Sequence, residues 1–206
     1  MEVVEEDTSE TVILRALPLL KILQHGRAGI PFEVMGLLLG KIINQFQIEI
    51  VDVFAMPQHG TTATVEAVDY VYQTEMKDLL SRTGRDENVV GWYHSHPGYG
   101  TWLSGVDIAT QEVFEKTEAR ALALVADPIQ SVKGKVVLDC FRTIPTIMGR
   151  TGEYRHTTSV CGHVDVGMDY TRQVTKGLDR RYYKLNVVYK LTENEKLVLI
   201  FWTKLA

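Results

Sequence analysis

A strand that ends at Pro97 is the feature that most constrains the fold of this chain. Residues 88–96 form a mainly apolar run, and Pro97 cannot continue a sheet ladder, so the run predicts a buried strand that stops there. Successive side chains of a strand point to opposite faces, so His94 and His96 share one face and Ser95 takes the other. Their Cα atoms are then about 6.5–7 Å apart, and two imidazoles at that spacing can converge on one ion.

Strand and helix patterns alternate along the rest of the chain. Further strands are predicted at residues 11–14, 34–39, 47–56, 120–126, 135–141 and 183–189. Helices are predicted at residues 17–25, 68–79 and 104–117 and from residue 193 onward. This order predicts an α+β fold with a three-layer, α/β/α-like arrangement of helices around a sheet.

Composition limits the class of protein and its partners. The 206 residues are 45% hydrophobic and carry a net charge of −4, which predicts one globular domain, either alone or with sizeable insertions, and no nucleic-acid surface. No apolar run approaches the roughly 20 residues that cross a bilayer, so no membrane contact is expected. The two cysteines, Cys140 and Cys161, have no paired spacing, which is typical of a reducing compartment. We therefore expect a cytoplasmic and nuclear protein.

Ten residues beyond Pro97, Asp107 lies in the first turn of the predicted helix, three residues after Ser104. Two imidazoles and one carboxylate suit zinc, and three protein ligands leave the fourth position open for water, as in catalytic sites. Each part has a plainer interpretation: His-x-His is more often an exposed or satisfied pair, and Ser-x-x-Asp alone is a helix-capping pattern. The combination favours a metal site formed by His94, His96 and Asp107, in which the aspartate also caps the helix.

The pattern His-x-His-Pro, six residues, Ser-x-x-Asp resembles the JAMM motif of the MPN-domain metalloproteases. The surrounding sequence is similar to the members of that family that remove ubiquitin in the lid of the proteasome. The similar segments are residues 26–29, 33–36, 51–58, 91–98, 127–135, 157–159 and 177–183, so the resemblance spans nearly the whole chain. It implies a curved mixed sheet flanked by helices, with a cytidine-deaminase-like fold.

The resemblance implies roles for two further residues and one Zn²⁺ per chain. Glu33 matches the family's glutamate, which acts on the attacking water, and Ser104 matches the serine that stabilises the oxyanion. Without the resemblance, Glu33 reads as an exposed acid at a strand edge. Residues 60–65 match the family's first insertion, which lines the groove for the ubiquitin tail, so Thr62, Thr64 and Val65 become candidate substrate-binding residues.

The resemblance also implies partners and a division of the chain. Expected partners are ubiquitin and ubiquitinated proteins, the inactive MPN subunit of the proteasome lid as a heterodimer, and other regulatory-particle subunits. Residues 1–143 would form the catalytic core, residues 144–176 a second insertion, and residues 177–206 the strand and helix that complete the domain. Close relatives in the family commonly carry cysteine where this chain has Thr101, and relatives continue into anchoring helices beyond the position of Ala206.

The predicted function is that of a zinc isopeptidase that removes ubiquitin chains from proteasome-bound substrates. One alternative is a JAMM enzyme that acts on another ubiquitin-like modifier. A second alternative is a catalytically silent MPN scaffold. Such scaffolds usually lack the histidines or the acid, whereas this chain has all five residues of the motif, which counts against this alternative. A zinc deaminase is excluded because the Pro-Cys-x-x-Cys element is missing.

Overall fold

The computed structural model describes residues 10–57, 70–144 and 168–205. Within them lie the strands β1 (Thr11–Arg15), β2 (Met35–Asn44), β3 (Gln47–Ala55), β4 (Asn88–Ser95), β5 (Leu122–Ala126), β6 (Leu138–Thr143) and β7 (Tyr182–Lys190). The helices are α1 (Ala16–Gly29), α2 (Tyr70–Arg82), α3 (Gly105–Thr117), α4 (Met168–Thr175) and α5 (Glu193–Leu205). The predicted mixture of strands and helices is confirmed. Within the same ranges, no helix combines the length and apolar character that crossing a bilayer requires.

The sheet closes on itself. Its strand order is β1-β3-β2-β4-β5-β6-β7, and β1 runs parallel to both β3 and β7. β4 and β5 are also parallel, whereas the remaining neighbours are antiparallel. The sheet is mixed, as predicted, and its closure is a feature that the sequence does not predict. Closure has a simple physical reason: β1 pairs with the outer edges of both β3 and β7 and leaves neither edge unpaired.

Helices cover both faces of the sheet. One buried cluster joins α1 to one face of the sheet through Leu19, Ile22 and Leu23. A second cluster lies on the opposite face, where Tyr72 and Met76 of α2 and the α3 side chains pack. The sheet is therefore buried between α1 on one side and α2 and α3 on the other.

Helix α1 continues past the position where the sequence predicts its end. The sequence predicts a helix over residues 17–25, so that Gly26 would lie just beyond it, but α1 runs to Gly29. Gly26 is buried, and an added Cβ there would lie 3.3 Å from Cβ of Pro128 and 3.4 Å from Cβ of Ser95. This glycine allows α1 to pack closely against the sheet instead of ending the helix.

A bulge in β4 decides which face carries the two histidines. Leu38 of β2 pairs with Gly91, and the next residue, Leu39, pairs with Val89, so Val90 has no partner in the ladder. Gly91 has φ of 150°, and an added Cβ would lie 2.1 Å from the Leu122 carbonyl oxygen. Because the extra residue shifts the alternation, the odd-even pattern restarts after Gly91. The even-numbered side chains from residue 92 to residue 96 then face α3.

Glu10 ties the start of β1 to two arginines across the sheet. Its carboxylate accepts hydrogen bonds from Arg120, with Nε at 2.8 Å and Nη2 at 2.5 Å, and from the buried Arg142. Burial alone would raise the pKa of Glu10, but the two guanidinium groups lower that pKa below its usual value. A lowered folded-state pKa stabilises the protein above the unfolded pKa, and this stabilisation is lost as the pH falls through the folded value.

We therefore expect Glu10→Gln to lower the free energy of unfolding by about 2 kcal/mol at pH 7. The difference from the wild type should shrink as the pH falls from about 4.5 through the lowered folded-state pKa, since the unfolded chain takes up the proton first and the folded carboxylate only at a lower pH. Urea unfolding at several pH values, with a chelator present in both samples, measures this difference. Asp86→Asn is the control, because its salt bridge with Lys41 is exposed and contributes little. A Glu10→Gln deficit that does not change with pH would contradict the prediction.

Candidate metal centre

His94 and His96 lie at the end of β4 with both imidazoles buried. Their Nε2 atoms are 3.0 Å apart. Ser95 points to the opposite face, where its hydroxyl oxygen accepts a hydrogen bond of 3.0 Å from the Val34 N–H. The alternation expected from the strand pattern therefore brings two imidazole nitrogens to one point.

Asp107 reaches the same point from the first turn of α3. Its Oδ2 lies 3.6 Å from His94 Nε2 and 4.0 Å from His96 Nε2. The same oxygen accepts a hydrogen bond of 2.7 Å from the Ser104 N–H, and Ser104 Oγ accepts one of 3.1 Å from the Asp107 N–H. This reciprocal pair is a capping box, which holds the carboxylate in place. Asp107 therefore caps α3 and lies beside the two histidines at the same time.

A hydrogen bond at its second ring nitrogen orients His96. Nδ1 lies 2.9 Å from the Gly100 carbonyl oxygen, and since a carbonyl can only accept, Nδ1 carries the proton. Burial, with a smaller effect of His94, lowers the pKa of His96 to about 3, so the ring is neutral. Its Nε2 lone pair is then free and faces His94 and Asp107.

The packing of aromatic rings orients His94. Its ring stacks on Trp92 with centroids 4.8 Å apart, and Trp92 in turn stacks on Phe114 of α3. Trp92 Nε1 donates a hydrogen bond of 2.8 Å to Gln111 Oε1, also on α3. The buried Nδ1 of His94 has no hydrogen-bond partner among the described residues. The plane of this imidazole is therefore set by α3 through Trp92.

Asp107 is ionised at neutral pH. Burial alone would raise the pKa of Asp107, but the neighbouring His94 and the hydrogen bonds from Ser104 lower that pKa well below its usual value. A carboxylate must be deprotonated to bind a metal ion. The local electrostatics therefore keep this side chain in the form that a metal requires.

The three donor atoms fit a tetrahedral zinc ion. One ligand atom from each of His94, His96 and Asp107 lies within 4.8 Å of the other two. Zinc bonds of about 2.0–2.1 Å in tetrahedral geometry separate two ligand atoms by about 3.3 Å. The observed separations of 3.0, 3.6 and 4.0 Å lie around that value. Two imidazoles and a carboxylate are also a donor set that zinc accepts with one position left open.

Glu33 lies next to this cluster, two residues before β2. Its side chain is 13% exposed, and its Oε1 lies 3.8 Å from His96 Nε2. The same oxygen accepts a hydrogen bond of 3.0 Å from the Tyr99 hydroxyl. Burial is the main factor that raises the pKa of Glu33, with a contribution from Asp107, and it outweighs the lowering by His94 and Tyr99. A raised pKa makes this carboxylate a stronger base than a free glutamate.

The remaining predicted residues are only partly placed by the structure. Ser104 is half-buried at the N-cap of α3, and its hydroxyl oxygen accepts from the Asp107 N–H. Thr62, Thr64 and Val65 lie outside the described residues.

Helix α4 holds the loop that follows the two histidines. Arg172 Nη1 donates a hydrogen bond of 2.8 Å to the Tyr99 carbonyl, and Gln173 Nε2 donates one of 2.7 Å to the Thr101 carbonyl. Gln173 is buried. No sequence pattern points to Arg172 or Gln173, because polar residues on a short helix carry no periodic signal. Their contacts fix the backbone on both sides of Gly100.

A mixed sheet between helices that presents two histidines, an aspartate and a neighbouring glutamate at one strand end is typical of metal-dependent hydrolases. The sequence matches the family described as JAB1/Mov34/MPN/PAD-1 ubiquitin protease over residues 7–120, more than half of the chain. The chain belongs to this family, and the resemblance seen in the motifs is confirmed.

Several relatives are similar over almost the whole chain. The 26S proteasome non-ATPase regulatory subunit 14 of Caenorhabditis elegans is 54% identical over 201 residues, which are 97% of this chain and 64% of the relative. The subunit of the same name from Drosophila melanogaster is 53% identical over 94% of this chain and 63% of the relative. Ubiquitin carboxyl-terminal hydrolase RPN11 of Saccharomyces cerevisiae is 53% identical over 95% and 63%. This chain therefore spans less than two thirds of the length of these relatives.

Proposed function

We propose that this chain is a zinc-dependent isopeptidase that removes ubiquitin chains from proteasome-bound substrates. The observation that carries the proposal is the convergence of donor atoms from His94, His96 and Asp107, with Glu33 Oε1 3.8 Å from His96 Nε2. The names of the relatives support the substrate, since one is a ubiquitin hydrolase and others are proteasome subunits.

In this proposal His94, His96 and Asp107 hold one Zn²⁺ per chain. When bound, zinc supplies a Lewis acid that polarises a carbonyl and lowers the pKa of water from 15.7 to about 7. The chain's own contribution is to keep His96 neutral by burial and to place its proton on Nδ1 through the Gly100 carbonyl. The neighbouring His94 and the hydrogen bonds from Ser104 keep Asp107 ionised.

Glu33 acts as the general base and then as the general acid. Its carboxylate accepts the proton of the attacking water and returns it to the amine of the departing lysine. The Tyr99 hydroxyl holds Oε1 of Glu33, so the carboxylate stays aimed at the cluster. The Ser104 hydroxyl donates a hydrogen bond to the oxyanion of the tetrahedral intermediate, a role whose loss commonly costs about 10²–10³ in rate.

Thr62, Thr64 and Val65 bind the ubiquitin tail in the proposed complex. An extended tail beside a strand edge is held by backbone hydrogen bonds, the strand-addition mode of recognition. The polar, β-capable residues of this loop are compatible with that mode. The resemblance to the family's first insertion supports this assignment.

The proposed partners are the inactive MPN subunit of the proteasome lid, as a heterodimer, and other regulatory-particle subunits, in the cytoplasm and nucleus. Residues 1–143 would be the catalytic core of cytidine-deaminase-like fold, residues 144–176 the second insertion, and residues 177–206 its completion. The pairing of β7 with both β1 and β6 supports the last assignment, because this strand belongs to the same sheet as the core.

Zinc analysis and isopeptide cleavage test the proposal together. Purified without chelators, the protein should carry about one zinc per chain. With its partner subunit, it should release ubiquitin from a ubiquitin–lysine isopeptide, lose this activity on chelation and regain it with zinc. Absence of zinc would overturn the metal assignment. Zinc without cleavage, alone or with the partner, would indicate a silent scaffold, and cleavage of another ubiquitin-like modifier alone would indicate the other alternative.

A further inference from the structure

Asp127 is a fully buried carboxylate immediately after β5. Within the described residues it forms no salt bridge, and backbone N–H groups surround it instead. Oδ1 accepts hydrogen bonds of 3.0, 2.9 and 2.9 Å from the N–H groups of Gly98, Ile129 and Gln130, and Oδ2 accepts one of 2.8 Å from that of Gly100. Burying a charge without an opposite charge is costly, so this arrangement needs a reason beyond the turn itself.

The two carboxylate oxygens have different tasks. Oδ1 organises the turn that Asp127 begins, through Ile129 and Gln130, and also holds Gly98. A side-chain turn of this kind needs only one acceptor oxygen. Oδ2 is left for Gly100, which lies in the loop beyond the two histidines. A role in the turn alone therefore explains one oxygen and not the other.

Gly100 connects Asp127 to the metal centre. Its N–H donates to Asp127, and its carbonyl accepts from Nδ1 of His96 at 2.9 Å. Gly100 has φ of 78°, a conformation that favours glycine, and this lets both groups reach their partners. On the other side, the Thr101 carbonyl is held by Gln173. The carbonyl that orients His96 thus has little freedom to move.

The orientation matters because His96 has two neutral tautomers. With the proton on Nδ1, the lone pair of Nε2 is free for a metal. With the proton on Nε2, the ring could instead donate to His94 Nε2, 3.0 Å away, and the lone pair would be blocked. A firmly placed Gly100 carbonyl favours the first tautomer, since that carbonyl can only accept.

We propose that Asp127 is a positioning residue that, through Gly100, holds His96 in the metal-binding tautomer. The proposal deepens the proposed function, on whose metal site it rests. Asp127 itself makes no hydrogen bond to the metal-binding atoms of His94, His96 or Asp107, so its effect passes through Gly100. Partners that orient a metal-bound histidine through its second nitrogen typically change metal affinity by about 10–100-fold when they are removed.

Asp127→Asn separates the two tasks of the carboxylate. The amide oxygen can keep the three hydrogen bonds of Oδ1, while the amide nitrogen in place of Oδ2 cannot accept from the Gly100 N–H. We expect zinc affinity, measured by chelator competition, to fall by about 10–100-fold. In metal-free protein, ¹⁵N NMR of the histidine rings should show the His96 proton moving partly from Nδ1 to Nε2.

Ser131→Ala is the matched control. Its buried hydroxyl donates to the Asp127 carbonyl at 2.6 Å and accepts from the Val137 N–H at 2.9 Å. The variant should therefore weaken the same turn without touching Gly100. We expect lower thermal stability, but zinc affinity within about twofold of the wild type and an unchanged His96 tautomer, since a removed hydrogen bond matters for metal affinity only when it orients a ligand.

Unchanged zinc affinity and tautomer in Asp127→Asn, or an equal loss of affinity in Ser131→Ala, would overturn the proposal. The metal-free wild type gives a second test if Asp127→Asn does not fold. Its His96 should carry the proton on Nδ1, and its Gly100 amide should be protected from exchange; the opposite result for either also overturns the proposal. The His96 tautomer is measured in metal-free protein. A wild type that binds no zinc would therefore refute the proposed function without deciding the role of Asp127, which the tautomer still tests.

Discussion

Replacing Glu33 by glutamine is expected to lower the rate of isopeptide cleavage by about 10²–10⁴-fold without loss of zinc or of the fold. Glutamine has nearly the same shape as glutamate, but its amide cannot accept the proton of the attacking water. Oε1 of Glu33 lies 3.8 Å from His96 Nε2 and has a raised pKa because of burial. The measurement is turnover of a ubiquitin–lysine isopeptide beside elemental analysis of the same samples.

Tyr99→Phe gives a graded comparison. The variant keeps an aromatic ring beside His96, where the centroids are 5.0 Å apart, and removes the hydroxyl that donates to Glu33. Because Glu33 can still accept a proton, the expected loss of rate is smaller than for Glu33→Gln. A zinc-replete Glu33→Gln enzyme with unchanged turnover would exclude Glu33 from proton transfer.

The position of Glu33 shows what the sequence could not supply on its own. Met35 pairs with His94 across β2 and β4, and the Val34 carbonyl accepts from the Ser95 N–H. This antiparallel pairing carries Glu33 to the end of β4, although the two segments are far apart in the chain. Local patterns describe one strand at a time, so only the family resemblance pointed to this glutamate.

Features that depend on short separations along the chain were predictable. The shared face of His94 and His96 follows from the strand period, and the capping box of Ser104 and Asp107 follows from a spacing of three residues. The bulge at Gly91 did not follow, because it depends on the backbone of β5 at Leu122. The sequence therefore predicted that the two histidine side chains lie on the same face of β4, but not that this face is the one covered by α3.

Closure of the sheet and the role of Asp127 could not be predicted from the sequence either, because both depend on contacts between distant parts of the chain. β1 pairs with β7 from the opposite end of the chain, as in Thr11 with Asn186. Asp127 acts on Gly98 and Gly100 across a helix and a strand of intervening sequence. Neither contact leaves a periodic signal, since each depends on the finished fold. From the sequence alone, Asp127 followed by Pro128 predicts only a turn.

Replacing Asp107, the third proposed metal ligand, is the other change with a large expected effect, here on zinc affinity. The capping box allows this loss of affinity to be measured separately from a loss of stability. Asp107→Ala removes both a donor atom and half of the capping box, whereas Ser104→Ala removes the other half and leaves the donor atom. Loss of a cap costs about 0.5–2 kcal/mol, so both variants should unfold at similarly reduced temperatures when zinc is absent.

Zinc binding should distinguish the two variants completely. We expect Asp107→Ala to bind zinc more than about 100-fold more weakly, beyond the 10–100-fold typical of changes outside the ligand set, because only two imidazoles remain. Ser104→Ala should bind about one zinc per chain with an affinity within about tenfold of the wild type, since the carboxylate keeps its hydrogen bond from the backbone N–H of residue 104 and only the Asp107 N–H loses its acceptor. Its cleavage rate should still fall by about 10²–10³-fold, as for the loss of one oxyanion donor. Chelator competition and turnover on the same preparations measure both properties. If Asp107→Ala retained wild-type zinc affinity, Asp107 would be a helix cap alone and the metal would have to be held elsewhere.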